Sequence, residues 1–277
     1  MTRRPRRWTA PIVRRLILGG FGLAVVAAVV LFVVVGPVNE PLRGLHCVAP
    51  PSLTRAQFPL EKTGQQLRDG GPLTIVTIGS SSTAGYAASS PAASYPSRLE
   101  ELLRKAFPGM AIQVINKGVS GEEADQMIAR FDRDVIALHP DLTIWQFGSN
   151  AVVRDLSAES LDAKLRRGIE ALKASGTDLL LMDLQVAPMI LSSPGHANMV
   201  QEIAELARSE QVGVIRRFAI MSWWLRHARF TLSTMLAYDG LHMTDGSYAC
   251  LADAVSRIIL DGAGQPGATA RLTARRD

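Results

Sequence analysis

Three serines stand together in Gly79-Ser80-Ser81-Ser82-Thr83-Ala84-Gly85, and an aspartate and a histidine stand three residues apart in Asp239-Gly240-Leu241-His242. A serine hydroxyl is a poor nucleophile until a histidine takes its proton, and the histidine works best when a carboxylate fixes its tautomer and supports the imidazolium. Asp239 and His242 are near enough in the chain to make that contact within one loop. The negative charge of a tetrahedral intermediate then needs preorganised donors. The Ser81 backbone N–H, the Gly118 N–H, where no side chain blocks approach, and the Asn150 side-chain amide are the candidates. Together these residue types supply what acyl transfer through an acyl-serine requires.

Such a constellation needs elements that bring distant segments together. Short apolar runs recur at Leu73 to Ile78, Ala111 to Asn116, Leu142 to Phe147, Leu179 to Leu184 and, more weakly, Gln211 to Ile215. Helical patterns lie between them, such as Leu161, Leu165, Ile169 and Leu172 closed by Gly176, with Ser120-x-x-Glu123 as a candidate capping box. This alternation predicts one three-layer α/β domain around a five-stranded parallel sheet. Ligand crevices in such sheets lie beyond the carboxyl ends of the strands. The serine turn follows the first run, Asn116 to Gly121 the second, and Gly148-Ser149-Asn150 the third.

In these blocks the sequence resembles the SGNH subgroup of the GDSL serine esterases and lipases. The family's first block, Gly-Asp-Ser-x-Thr, matches Gly79 to Thr83 and makes Ser81 the nucleophile. Its second-block glycine matches Gly118, its Gly-x-Asn block matches Gly148 to Asn150, and its Asp-x-x-His block matches Asp239 and His242. The resemblance implies a flavodoxin-like sheet and hydrolysis of acyl esters without a cofactor. Ser80 and Ala151 depart from the family pattern, which has Asp at both, so other hydrogen bonds must hold those two turns.

Other chemistries fail on residue type. Gly79 to Gly85 lacks the Lys-Ser/Thr of a phosphate-binding loop, Gly118-x-x-Gly121 lacks the third glycine of a dinucleotide fingerprint, and Thr83 replaces the closing glycine of the Gly-x-Ser-x-Gly elbow. His46, His139, His196 and His227 have no metal-ligand spacing, so no metal is expected. The net charge of +5 suggests nucleic acid until it is located: six arginines precede residue 16, leaving 24 basic against 25 acidic residues.

Behind that arginine cluster, Leu16 to Val35 is 20 uncharged, almost wholly apolar residues, the length of a membrane-spanning helix. The flanking arginines predict a cytoplasmic N-terminus and an exported body, periplasmic or extracellular. The expected organisation is a basic tail (1–15), a transmembrane anchor (16–35), a proline-rich tether and lead-in (36–72), the hydrolase domain (73–262) and a C-terminal tail (263–277). Cys47 and Cys250 are the only cysteines and fall on the exported side. A disulfide tying the tether to the helix after His242 is expected there, with two free thiols as the alternative. The crevice segments are small and polar, which points to short acyl groups, acetyl esters on envelope or exported carbohydrate foremost. An O-acyltransferase of the same architecture and a carbohydrate-binding module with a vestigial triad are the rival readings.

Overall fold

The computed structural model describes residues 47, 49–156 and 159–273. The apolar run 16–35 lies outside these, and among the described residues no helix is long and apolar enough to cross a membrane.

Five parallel strands, β1 (Leu73–Gly79), β2 (Ile112–Gly118), β3 (Leu142–Gln146), β4 (Asp178–Met182) and β5 (Gly213–Ile215), form one sheet in the order β2-β1-β3-β4-β5. The continuous apolar runs follow from burial on both faces: β1 and β3 are almost wholly buried. The β1–β2 and β3–β4 crossovers run in opposite directions across the sheet, which under the right-handed rule for such connections puts their helices on opposite faces. On one, the helix Tyr95–Ala106 packs against the long helix Asp245–Gly262; on the other, Glu159–Ala174 packs against Ala124–Ile128. Leu161, Leu165, Ile169 and Leu172 are buried, and Gly176 follows with φ +77°, the left-handed turn that ends this helical segment. Strand order reverses between β1 and β3, so the crevice of the fold opens above their carboxyl ends.

The folded body extends past both expected boundaries. The segment before Leu73 is built onto the domain: the N–H groups of Lys62 and Thr63 donate to the Asp178 carboxylate (3.4 and 2.7 Å), capping the helix Glu61–Asp69, and Leu60 N–H donates to Gly262 O (2.8 Å). After Gly262 the helix Thr269–Thr273 carries buried Leu272, and Arg271 donates to Ala106 O (3.0 Å). Proline richness marks irregular backbone, but the described part of this lead-in has found hydrogen-bond partners in the domain; residues 36–46 of the expected tether lie outside the described residues. The expected capping box is also displaced. Glu123, not Ser120, is the N-cap of Ala124–Ile128, and Gln126 returns the bond to the Glu123 N–H (2.9 Å).

Candidate active site

Ser81 is the first residue of a single helical turn, Ser81–Ala84, that leaves β1 at Gly79 and closes at Gly85, φ +85°. Four residues cannot hold a helix by themselves, and tertiary bonds fix this one. Gln146, at the end of β3, accepts three hydrogen bonds at Oε1: from Ser80 N–H (3.0 Å), Ser80 Oγ (3.1 Å) and Thr83 Oγ1 (3.1 Å). On the other side the Asn116 amide donates to Thr83 O (2.8 Å). The aspartate missing at position 80 is thus replaced by a buried glutamine from the neighbouring strand.

The loop carrying the histidine is folded by its own aspartate. Asp239 Oδ1 accepts from the N–H groups of Leu241 (3.0 Å) and His242 (2.9 Å), while Oδ2 lies 2.6 Å from His242 Nδ1. Burial pushes the Asp239 carboxyl up, but these two N–H groups and the histidine ring outweigh it and leave the group below the usual carboxylate range. Gly240, φ +64°, lets the chain turn inside the loop, and an antiparallel bridge between Leu236 and Met243 closes it. His242 Nε2 then lies 2.7 Å from Ser81 Oγ. Tyr86 leans on the imidazole, ring centroids 4.5 Å apart, and its own carbonyl accepts from Tyr248 Oη (2.9 Å).

The expected oxyanion donors are placed unevenly. Asn150, in the turn Ser149–Val153 after β3, donates one amide hydrogen to Glu122 O (2.8 Å), and its other amide hydrogen meets no acceptor among the described residues. Gly118 does not stand as expected. Its N–H donates to Asn116 Oδ1 (2.9 Å), and it is glycine because a Cβ would lie 2.1 Å from Ala84 N. Its smallness lets β2 pass against the serine turn. Gly121, three residues on with φ +83°, has an N–H that meets no acceptor among the described residues, and its carbonyl accepts from Arg154 Nη2 (3.0 Å). Its loop is pinned by Arg130, which binds Glu122 (2.6 Å), Asp134 (3.1 Å) and Lys117 O (2.8 Å). The Arg133 and Arg130 guanidiniums hold the Asp134 carboxyl far below the usual range. Glu122 is therefore a half-buried ion-pair partner of Arg130.

Beneath these loops lies a polar layer that sequence reasoning missed. Gln185, Arg217, Tyr95 and Tyr248 are all buried. Burial lowers Arg217 to about 10 and raises Tyr95 to about 12. A glutamine three residues past the end of β4 is the one signal that marked it in advance. Cys47 and Cys250 are joined by a disulfide, Cα atoms 4.7 Å apart, with Cys250 buried in the helix Asp245–Gly262.

A family model of non-GDSL lipase-like proteins matches residues 46–265. The chain belongs to the non-GDSL lipase-like family. That description accords with Ser80 in place of the aspartate of a GDSL block. Relatives include an arylesterase of Vibrio mimicus, 26% identical over 184 residues that make up 66% of this chain and 86% of the relative. An acetylxylan esterase of Geobacillus stearothermophilus is 28% identical over 174 residues, 57% of this chain and 77% of the relative. Among solved structures, the acetylxylan esterase Axe2 of G. stearothermophilus superposes with TM-score 0.57 at 23% identity, covering 68% of this chain and 95% of that one. TesA superposes with TM-score 0.56 at 20% identity, covering 66% and 95%. Like these family relatives the chain is an ester-hydrolysing serine hydrolase, and the acyltransferase and binding-module readings are not favoured.

Proposed function

We propose that Ser81, His242 and Asp239 form the catalytic triad of an esterase that removes short acyl groups, acetyl foremost, from carbohydrate. The unbroken contact from Asp239 Oδ2 through the imidazole to Ser81 Oγ carries this reading. His242 Nε2 takes the Ser81 proton as Oγ attacks the ester carbonyl, and Asp239 supports the imidazolium. The imidazolium then protonates the leaving alkoxide, giving the acyl-serine. Water, deprotonated by the same nitrogen, attacks the acyl carbon, and the proton returns to Oγ as the acid departs. We assign the oxyanion to the Ser81 N–H, the Gly121 N–H and the free Asn150 amide hydrogen, with Gly121 taking the place expected for Gly118.

Two observations support the substrate class. Met221, Trp224 and Phe230 are spent in the core and Trp223 stacks on His227 at 4.2 Å, so none of these large side chains is free to build a deep acyl slot, while Met189 and Leu191 are exposed. At the rim, Tyr238 is 89% exposed directly before Asp239, beside Tyr86, where a sugar ring has an aromatic face to rest on. The name of the acetylxylan esterase relative points the same way. A p-nitrophenyl ester series tests the acyl length: catalytic efficiency falls from acetyl onwards, and a maximum at eight or more carbons would refute it.

The arginine-flanked run 16–35 and the Cys47–Cys250 disulfide support an inner-membrane anchor with the esterase on the exported side. Extraction of native membranes at alkaline pH, followed by protease protection of spheroplasts, tests it.

A further inference from the structure

We propose that Gln185 is a positioning residue that sets the three catalytic loops relative to one another, an inference resting on the triad reading above. Gln185 lies past the end of β4, is 3% exposed and makes no hydrogen bond to a triad side chain. Its Oε1 accepts from Ser82 Oγ (3.0 Å) and Ser149 Oγ (3.2 Å), and its Nε2 donates to Leu241 O (3.4 Å). Each partner is the chain neighbour of a site residue: Ser82 of Ser81, Ser149 of Asn150, Leu241 of His242. One buried amide thus ties the nucleophile turn, the oxyanion turn and the histidine loop.

The orientation of this amide is fixed by its partners. A carbonyl needs the Nε2 side, and the two hydroxyls then share Oε1. Arg217, fully buried behind it, donates Nη2 to Ser149 Oγ (3.4 Å) and Nε to Asp183 O (3.1 Å). An arginine has donors only, so the Ser149 hydroxyl accepts from it and turns its own proton to Gln185. The helices carrying Ser81 and Asn150 are four and five residues long. They have too little internal cooperativity to orient themselves. Loss of the amide leaves the Ser82 hydroxyl and the Leu241 carbonyl without this partner and the Ser149 hydroxyl without an acceptor for its proton, and the loops re-sort around water. A displacement of this size acts on the near-attack geometry of Oγ, Nε2 and the oxyanion donors. Substrate binding at the rim is untouched.

The test compares Gln185→Leu and Gln185→Glu with the wild type on p-nitrophenyl acetate, with fluorophosphonate titration of active sites so that kcat is counted per competent serine. Gln185→Leu is expected to lose at least about 10-fold in kcat per site with KM changed less than about twofold. In Gln185→Glu a buried carboxyl stays protonated well above its usual range and its O–H stands in for Nε2–H. This variant keeps near wild-type kcat in mild acid. It loses kcat as the pH rises and the carboxylate comes to oppose the Leu241 carbonyl, where the wild type holds its rate. Should Gln185→Leu fail to fold, the Gln185→Glu profile decides. Per-site kcat within twofold of wild type in Gln185→Leu, or a wild-type pH profile in Gln185→Glu, overturns the inference. A wild type that takes up no fluorophosphonate at Ser81 overturns the triad reading, and this inference with it.

Discussion

Ser81 Oγ and His242 Nε2 lie 2.7 Å apart across 161 residues of chain. No local sequence preference makes that contact; it follows from β1 ending beneath the loop that Asp239 folds. Ser81→Ala and His242→Ala should each lose about 10⁴-fold or more in kcat. Ser80→Ala and Ser82→Ala, whose hydroxyls serve Gln146 and Gln185, should lose far less. Steady-state rates on p-nitrophenyl acetate check this, and a Ser82→Ala loss as deep as that of Ser81→Ala would move the nucleophile by one residue.

Asn150 holds one amide hydrogen to Glu122 O and has one to give. Asn150→Ala should lower kcat about 10²- to 10³-fold, the usual worth of an oxyanion donor. Gly118→Ala acts differently: the new Cβ meets the Ala84 backbone at 2.1 Å, so the melting temperature should fall along with the rate. A Gly118→Ala protein that melts like wild type but turns over slowly would return that glycine to the oxyanion hole.

The parts of this molecule that were legible in the sequence are those set by local pattern. The strand runs are continuous because the sheet is buried on both faces, and Asp239 and His242 are three residues apart because one loop must present both. What stayed hidden depends on contacts between segments far apart in the chain. Gly118 and Gly121 look alike in sequence, and the backbone of Ala84 and the side chain of Asn116 decide between them. Gln146 and Gln185 sit at strand ends where a polar residue is unremarkable, and their roles emerge once Ser80, Ser82, Ser149 and Leu241 converge on them. Proline-rich sequence before Leu73 marked irregular chain, whereas docking on Asp178 and Gly262 could be seen in three dimensions alone.

The Cys47–Cys250 bridge closes a loop with a sequence separation of 203. Constraining so long a loop in the unfolded chain is worth on the order of 2 to 5 kcal/mol. The triad contacts involve neither cysteine. Reduction should therefore lower the melting temperature while leaving kcat at room temperature nearly unchanged. Melts and rates with and without reductant, beside a Cys47→Ser variant that should match the reduced protein, check both halves.

Asp183 connects the buried polar layer to pH. Burial raises its carboxyl to about 7, with the Phe218 N–H (2.9 Å to Oδ1) and the Arg217 charge pulling weakly the other way. An unfolded aspartate titrates near about 4. Between those values the native state keeps a proton that the unfolded state gives up, so stability declines as pH rises through that window and levels off above about 7. The amide introduced by Asp183→Asn keeps an acceptor for the Phe218 N–H and carries no such proton. The stability of Asp183→Asn relative to wild type should therefore grow between pH 5 and pH 8 by on the order of 2 kcal/mol. Urea unfolding of both proteins at the two pH values measures the gap. A gap that does not change would mean that Asp183 is ionised in the native protein throughout, held by Arg217 against the cost of its burial.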